Sequence, residues 1–236
     1  MTEGLKVGII GAMDSEVEYL KSQAEGARTC VVAGMEFVEG TLGGVEVVVV
    51  RCGVGKVNAA VCTQALIGQL GATRVINTGV AGSLDDRIEI GDLVISTDAL
   101  HHDVDATVMG YAPGEVPSMG IVAFEADAAM RAAALRAAAQ AAPDVHVFEG
   151  RVCSGDQFIG SAAAKARIIE TFGGMCCEME GASIAHTCHL NGVPFVIVRA
   201  ISDKADDSGN VSFEEFEKAA AEHCAKVVLA TLPYLA

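Results

Sequence analysis

Three runs in this chain carry no polar alternation: Val7-Gly8-Ile9-Ile10, Val47-Val48-Val49-Val50 and Phe195-Val196-Ile197-Val198. A strand with one wet face alternates apolar and polar residues, so strands without alternation must be covered on both faces. Further strand candidates complete a set of Leu5–Ile10, Val45–Arg51, Arg74–Thr78, Leu93–Ser96, Val145–Val152 and Phe195–Ile201. Between them lie stretches with helical character: Asp14–Gln23, Val57–Leu70, Ala126–Ala142, Ala162–Phe172, Gly181–Leu190 and Phe213–Leu235. This order predicts an α/β fold with a central, mixed but mostly parallel sheet flanked by helices in three layers. No repeat or linker interrupts residues 1–236, which are expected to form a single domain. Lys204–Ser212 and His101–Met119 are polar and read as long loops, and long loops in compact domains are often functional.

Charge narrows the partners. Lys and Arg total 16 against 31 Asp and Glu, giving a net charge of -15. Such a surface repels phosphate backbones and anionic lipid, so no nucleic acid and no membrane is expected, while a small nucleoside is admissible. No apolar run approaches the ~20 residues of a membrane span. The start, Met1-Thr2-Glu3-Gly4-Leu5-Lys6, lacks the regions of a signal peptide, so a soluble, cytoplasmic protein is expected. The eight cysteines are scattered and read as small buried hydrophobes of a reducing compartment. Cys176, Cys177, His186, Cys188 and His189 admit either a zinc site or a packed helix face. Their spacing matches no common zinc pattern, so no metal is expected.

Glycines mark the strand ends: Gly11 after the first, Gly53 and Gly55 after the second, Gly79 and Gly82 after the third. Either they only make tight turns, or backbone must approach a ligand beyond the carboxyl ends of the strands. Gly11-Ala12-Met13 is not a full dinucleotide fingerprint, and Gly53-Val54-Gly55-Lys56 is no P-loop. Three carboxylates stand at the same places. Glu16 follows the first glycine turn, Glu180 lies two residues beyond Glu178, and Asp203 ends Arg199-Ala200-Ile201-Ser202-Asp203. Glu16 also fits a helix first turn, and Asp203 an N-cap or turn.

With these motifs in order, the chain resembles the bacterial 5'-methylthioadenosine/S-adenosylhomocysteine nucleosidases of the purine nucleoside phosphorylase family. The resemblance rests on Val7–Met13 with Glu16, Gly53–Lys56, Asn77–Gly82, Ser154–Ile159, Glu178–Glu180, Arg199–Asp203 and Ser212–Phe216, and runs nearly end to end. It implies a homodimer with a nucleoside phosphorylase-like catalytic domain, no metal and no organic cofactor, and hydrolysis of an adenine nucleoside to adenine and a 5-thio-ribose. Asp203 would protonate adenine N7, with Ser202 orienting it; Glu180 would accept from the ribose hydroxyls; Glu16 would activate water; Arg199 would hold the water or Glu180. Met13 and Met179 would pack against the sugar, Phe158 would stack on adenine, and backbone at Ile159 would read its edge. Glu178, Val80, Ala81 and Gly82 belong to the same motifs. The 5' tail would meet Val54, Ala106 and Phe213 of one subunit, with Met109 and Pro117 reaching from its neighbour.

Two departures stand out against that family. Val80 replaces a common Ser near the water, and Ala106 and Met109 replace a Val and a Phe, which suggests a more adaptable tail pocket. In related phosphorylases an arginine stands at the position of Asn77; its absence, beside acidic Asp14 and Glu16, favours water over phosphate as nucleophile. A phosphorylase, a futalosine-type nucleosidase, a non-catalytic nucleoside binder and a dinucleotide module are the competing readings.

Overall fold

The unbroken apolar runs become the inner strands of one sheet in the computed structural model, which describes residues 4–236 (Asn210 for its backbone only). In chain order the elements are β1 (Lys6–Gly11), α1 (Asp14–Gln23), β2 (Glu25–Val32), β3 (Met35–Leu42), β4 (Val45–Arg51), α2 (Lys56–Gly68), β5 (Arg74–Ser83) and β6 (Leu93–His101). There follow β7 (Ala123–Glu125), α3 (Ala128–Ala141), β8 (Val147–Ser154), α4 (Ala162–Phe172), β9 (Cys176–Glu178), α5 (Gly181–Asn191), β10 (Phe195–Asp203) and α6 (Gly209–Thr231). Met1–Glu3, part of the leader reading, lie outside the described residues.

Strands β4, β1, β5 and β10 lie side by side in parallel. β10 also pairs antiparallel with β6, β6 runs parallel to β8, β8 parallel to β9, and β9 returns antiparallel to β5. Five strands thus close into a hydrogen-bonded ring, which leaves them no free edge. β10 is buried at all nine positions, as a strand enclosed on both sides demands. The far side of β4 continues into the antiparallel strands β3 and β2.

Helices cover both faces. α1, α3 and α6 share one apolar layer through Val17, Leu20, Met130, Ala134, Ala221 and Val228. α2 and α5 share the other through Ala59, Cys62, Leu66, Ile184, Ala185 and Cys188. The small side chains let the helix backbones come close to the sheet. Two helices, α3 and α4, start on a side-chain cap. Asp127 accepts from the Met130 N–H (2.9 Å) and Ser161 from the Ala164 N–H (3.3 Å), satisfying donors that a helix start otherwise leaves open. Among the described residues, no helix is long and apolar enough to cross a membrane.

The structure departs from the sequence reading in several places. β2 and β3 were not foreseen; β2 is exposed at its first five positions and packs on the core only through its end, at Cys30 and Val32. β7 and β9 are three residues each, too short for a periodic signal. With these strands the sheet is mixed: the parallel ladders are joined by antiparallel ones. α6 begins at Gly209, which shortens the expected 204–212 loop. β5 and β10 run on to Ser83 and Asp203, so Gly79, Gly82, Ser202 and Asp203 sit in strands and not in turns after them.

Candidate active site

A cavity of about 300 Å³ opens where the carboxyl ends of β1, β5, β9 and β10 meet. From β1 and α1 come Met13 and Glu16; from β5 come Val80, Ala81 and Gly82. The segment after β9 supplies Glu178, Met179 and Glu180, and the end of β10 supplies Ser202 and Asp203. Val54, Phe158, Ile159 and Phe213 complete the wall. Ala12, Gln157 and Cys177 also line it. The sequence reading had not assigned them to the site, although each lies within or beside a motif it used. Phe158 meets Phe213 edge to face, ring centres 5.7 Å apart.

Glu16 is third in α1, and its side chain folds back over the helix start. Its Oε2 accepts from the Ala12 N–H (2.6 Å) and the Met13 N–H (3.0 Å), and its Oε1 from the Val80 N–H (3.0 Å). Met13, the residue before the helix, has no side chain able to cap it, so Glu16 satisfies those donors. Only 1% of Glu16 is exposed. Burial raises its pKa, against the pull of Arg199 and the three N–H groups.

Glu178 and Glu180 flank the start of α5. Glu178 Oε2 accepts from the Glu180 N–H (3.1 Å) and the Gly181 N–H (2.8 Å), and Oε1 takes the Ser154 hydroxyl. Glu180 Oε1 accepts from the Gly55 N–H at 2.8 Å. Burial and the neighbouring Glu178 push Glu180 up to about 8, with Arg199 and the Gly55 N–H acting the other way.

Arg199 does not line the cavity. It stands behind the carboxylates, in the middle of β10, with 1% of its surface exposed. Its Nη2 bonds Glu178 and the Asn77 Oδ1 (2.5 Å), and the guanidinium lies 3.8 Å from both Glu16 and Glu180. Burial works against its charge, yet the carboxylates of Glu178, Glu16 and Glu180 outweigh it and hold Arg199 protonated. One cation therefore serves three buried carboxyl groups. The expectation that Arg199 holds the water or Glu180 is refined: its shortest carboxylate contact is Glu178.

Asp203 has a different environment. Its Oδ1 accepts from the Ala205 N–H (2.8 Å) and its Oδ2 from the Ser202 hydroxyl (3.0 Å). Burial raises its pKa, while the Ala205 N–H and Ser202 partly oppose it. No ion pair reaches it among the described residues. Of the site's carboxyls it is the one placed to hold a proton without competing against Arg199.

The glycines are needed for close approach. A Cβ on Gly79 would stand 2.2 Å from Glu16 Oε1 and 2.3 Å from Arg199 Nη1; one on Gly82 would stand 2.7 Å from Asp203 Oδ1. Real Cβ atoms do not come that near, so only glycine lets β5 pass beneath both carboxylates.

Ala106, Met109 and Pro117 do not line the cavity of this chain. The segment after β6 folds on itself through the Met109 N–H to Ala106 O and Gly114 N–H to Val104 O bonds. Met109 is 72% exposed. The cysteine and histidine set is dispersed: Cys176 and Cys188 are buried in the α2–α5 apolar layer, and His186 stacks on Phe124.

Comparison with known proteins agrees along the whole chain. Residues 6–233 match the family model described as the phosphorylase superfamily. The 5'-methylthioadenosine/S-adenosylhomocysteine nucleosidase of Shewanella halifaxensis is 44% identical over 232 residues, 98% of this chain and 100% of that protein. The corresponding nucleosidase of Neisseria meningitidis, solved with methylthio-immucillin-A, is similar with TM-score 0.93 and 42% identity over 96% of this chain and 97% of that one. That of Colwellia psychrerythraea, solved with adenine, gives TM-score 0.95 and 37% identity over 99% and 96%. With a fold and an end-to-end identity of this kind, the chain belongs to the 5'-methylthioadenosine/S-adenosylhomocysteine nucleosidases of the phosphorylase superfamily.

Proposed function

We propose that this chain hydrolyses the N-glycosidic bond of 5'-methylthioadenosine and S-adenosylhomocysteine, and also of 5'-deoxyadenosine, releasing adenine. The observation that carries the reading is that Asp203, Glu180 and Glu16 share one small, largely apolar cavity. Breaking the bond leaves positive charge on the sugar and negative charge on the purine. Asp203, its pKa raised by burial, donates its proton to adenine N7 as the bond opens, worth about 10²–10⁴-fold. Glu180 accepts from the ribose hydroxyls, and the anionic cluster stabilises the oxocarbenium-like sugar in a site sheltered from water. Glu16 holds the attacking water and takes its proton. Phe158 stacks on the purine, backbone at Ile159 reads its edge, and Met13, Val54, Met179 and Phe213 surround the sugar and its apolar tail.

Water as nucleophile follows from the charges. A phosphorylase needs free cationic donors for a dianion, yet Arg199 is committed to Glu178 and Asn77. Added phosphate is therefore expected to leave the rate of adenine release from 5'-methylthioadenosine unchanged, with free 5-methylthioribose as the sugar product. A 1-phosphosugar would overturn the hydrolase reading.

The tail pocket is open on one side in the single chain, and Val57 (74% exposed), Val61, Leu190 (67%) and Met109 (72%) form exposed apolar surface. A homodimer in which Met109 and Pro117 of a second copy close the pocket would cover it. Light scattering is expected to return twice the chain mass at micromolar concentration; a monomer active at that concentration would contradict this.

A further inference from the structure

Three residues outside the cavity wall form a closed circuit. Lys56 Nζ pairs with Asp103 Oδ1 at 2.6 Å. Asp103 Oδ2 accepts from the Asp156 N–H at 2.9 Å, and Asp156 Oδ1 accepts from the Lys56 N–H at 2.8 Å. The circuit joins three segments far apart in sequence: the turn entering α2, the segment leaving β6 and the loop leaving β8.

We propose that Lys56, Asp103 and Asp156 are positioning residues, a clasp that holds the ribose-side turn Gly53–Lys56 in register with the purine-side loop Asp156–Ile159. The proposal rests on placing the ribose at Glu180 and the purine at Phe158. Each end of the clasp is close in sequence to a group that touches substrate or holds one that does. Gly55, whose N–H donates to Glu180 Oε1, precedes Lys56; Phe158 lies two residues after Asp156.

Local chemistry explains why a distant clasp is needed. α2 starts after Gly55, which has no side chain to cap the helix. Asp156, 100 residues away, accepts from the Lys56 N–H in its place and sets an anion at the positive helix end. The Lys56 and Asp103 side chains are 20% and 19% exposed, so the pair is less screened than surface pairs. Asp103 is half-buried, yet Lys56 and the Asp156 N–H hold its pKa below the ordinary carboxylate range. Small displacements of groups that orient substrate cost large factors in rate or affinity, so a loosened turn would misplace the Gly55 N–H and with it Glu180.

The test is Asp103→Asn, which keeps the shape and the bond from Asp156 but removes the ion pair. KM for 5'-methylthioadenosine is expected to rise about tenfold with kcat changed less than about threefold, and the calorimetric Kd for adenine to rise about fivefold. Lys56→Met alone reads the same contact should Asp103→Asn not fold. Lys56→Arg, which keeps the charge, is expected to stay within about twofold of the starting protein. The double variant Lys56→Met/Asp103→Asn should be no worse than the worse single one, as for two groups acting through one contact. Unchanged KM and adenine Kd, with only a lower melting temperature, would overturn the clasp, and so would fully multiplicative effects. If the unaltered protein releases no adenine, the nucleosidase reading fails, while the adenine Kd still decides the clasp.

Discussion

Asp203→Asn is expected to slow adenine release from 5'-methylthioadenosine by about 10²–10⁴-fold while leaving substrate affinity within a few-fold. Asparagine can still meet N7 with its amide N–H, so the site keeps its shape; what it cannot supply is a transferable proton. The Ala205 N–H, which now donates to the carboxyl, can donate to the asparagine oxygen, and the Ser202 oxygen, which now donates, can accept from the amide, so the fold should tolerate the change. The mechanism makes a stricter demand. A substrate whose N7 is replaced by carbon cannot take the proton, so it should lose a similar factor with the unaltered enzyme and little more with Asp203→Asn. Initial rates for the four combinations check this. Additive losses would mean that Asp203 works on some other atom.

Arg199→Met carries the second large effect, and it acts on stability as well as rate. It strips the cation from a cluster of three buried carboxylates, and breaking a buried pair in this way costs about 3–5 kcal/mol. That is a large share of the stability of a domain. The loss should depend on pH. Burial already raises the folded-state pKa values of Glu16 and Glu180 above their unfolded values, and without the Arg199 charge they rise further. Groups raised in this way hold protons that the unfolded chain has already lost, so folding weakens as pH rises through that window. Glu180 already shows the sign in the unaltered protein, at about 8 against about 4.3 for a free glutamate. Urea midpoints from pH 5 to pH 8 are expected to fall with pH for both proteins, more steeply for Arg199→Met. A midpoint for the variant equal to the unaltered protein's at pH 8 would show that the cluster does not depend on this cation.

The sequence carried much of this site because its parts sit in short local motifs. Glu16 and Glu180 follow a strand by a few residues and Asp203 ends one, and a strand end fixes where such a side chain points. The sequence also marked Gly79 and Gly82, but for a different reason. They read either as tight turns or as places where backbone approaches a ligand, whereas the structure places them inside β5, beneath Glu16 and Asp203. Close approach between distant residues leaves no local signature. The same holds for Arg199, whose partners Asn77 and Glu178 are 122 and 21 residues away, and for Asp103 and Asp156, 53 residues apart. The β2–β3 extension was hidden because its outer strand is exposed over its first five positions, and hydrophobic periodicity reports only burial.

The most direct test of the account is a crystal structure of this protein with an adenine nucleoside analogue whose glycosidic bond cannot break. The account predicts purine N7 within about 2.6–3.2 Å of an Asp203 carboxyl oxygen, the ribose hydroxyls on Glu180, and a water held by Glu16 on the opposite side of the anomeric carbon. A purine bound with N7 turned away from Asp203, or with the sugar remote from Glu180, would contradict it.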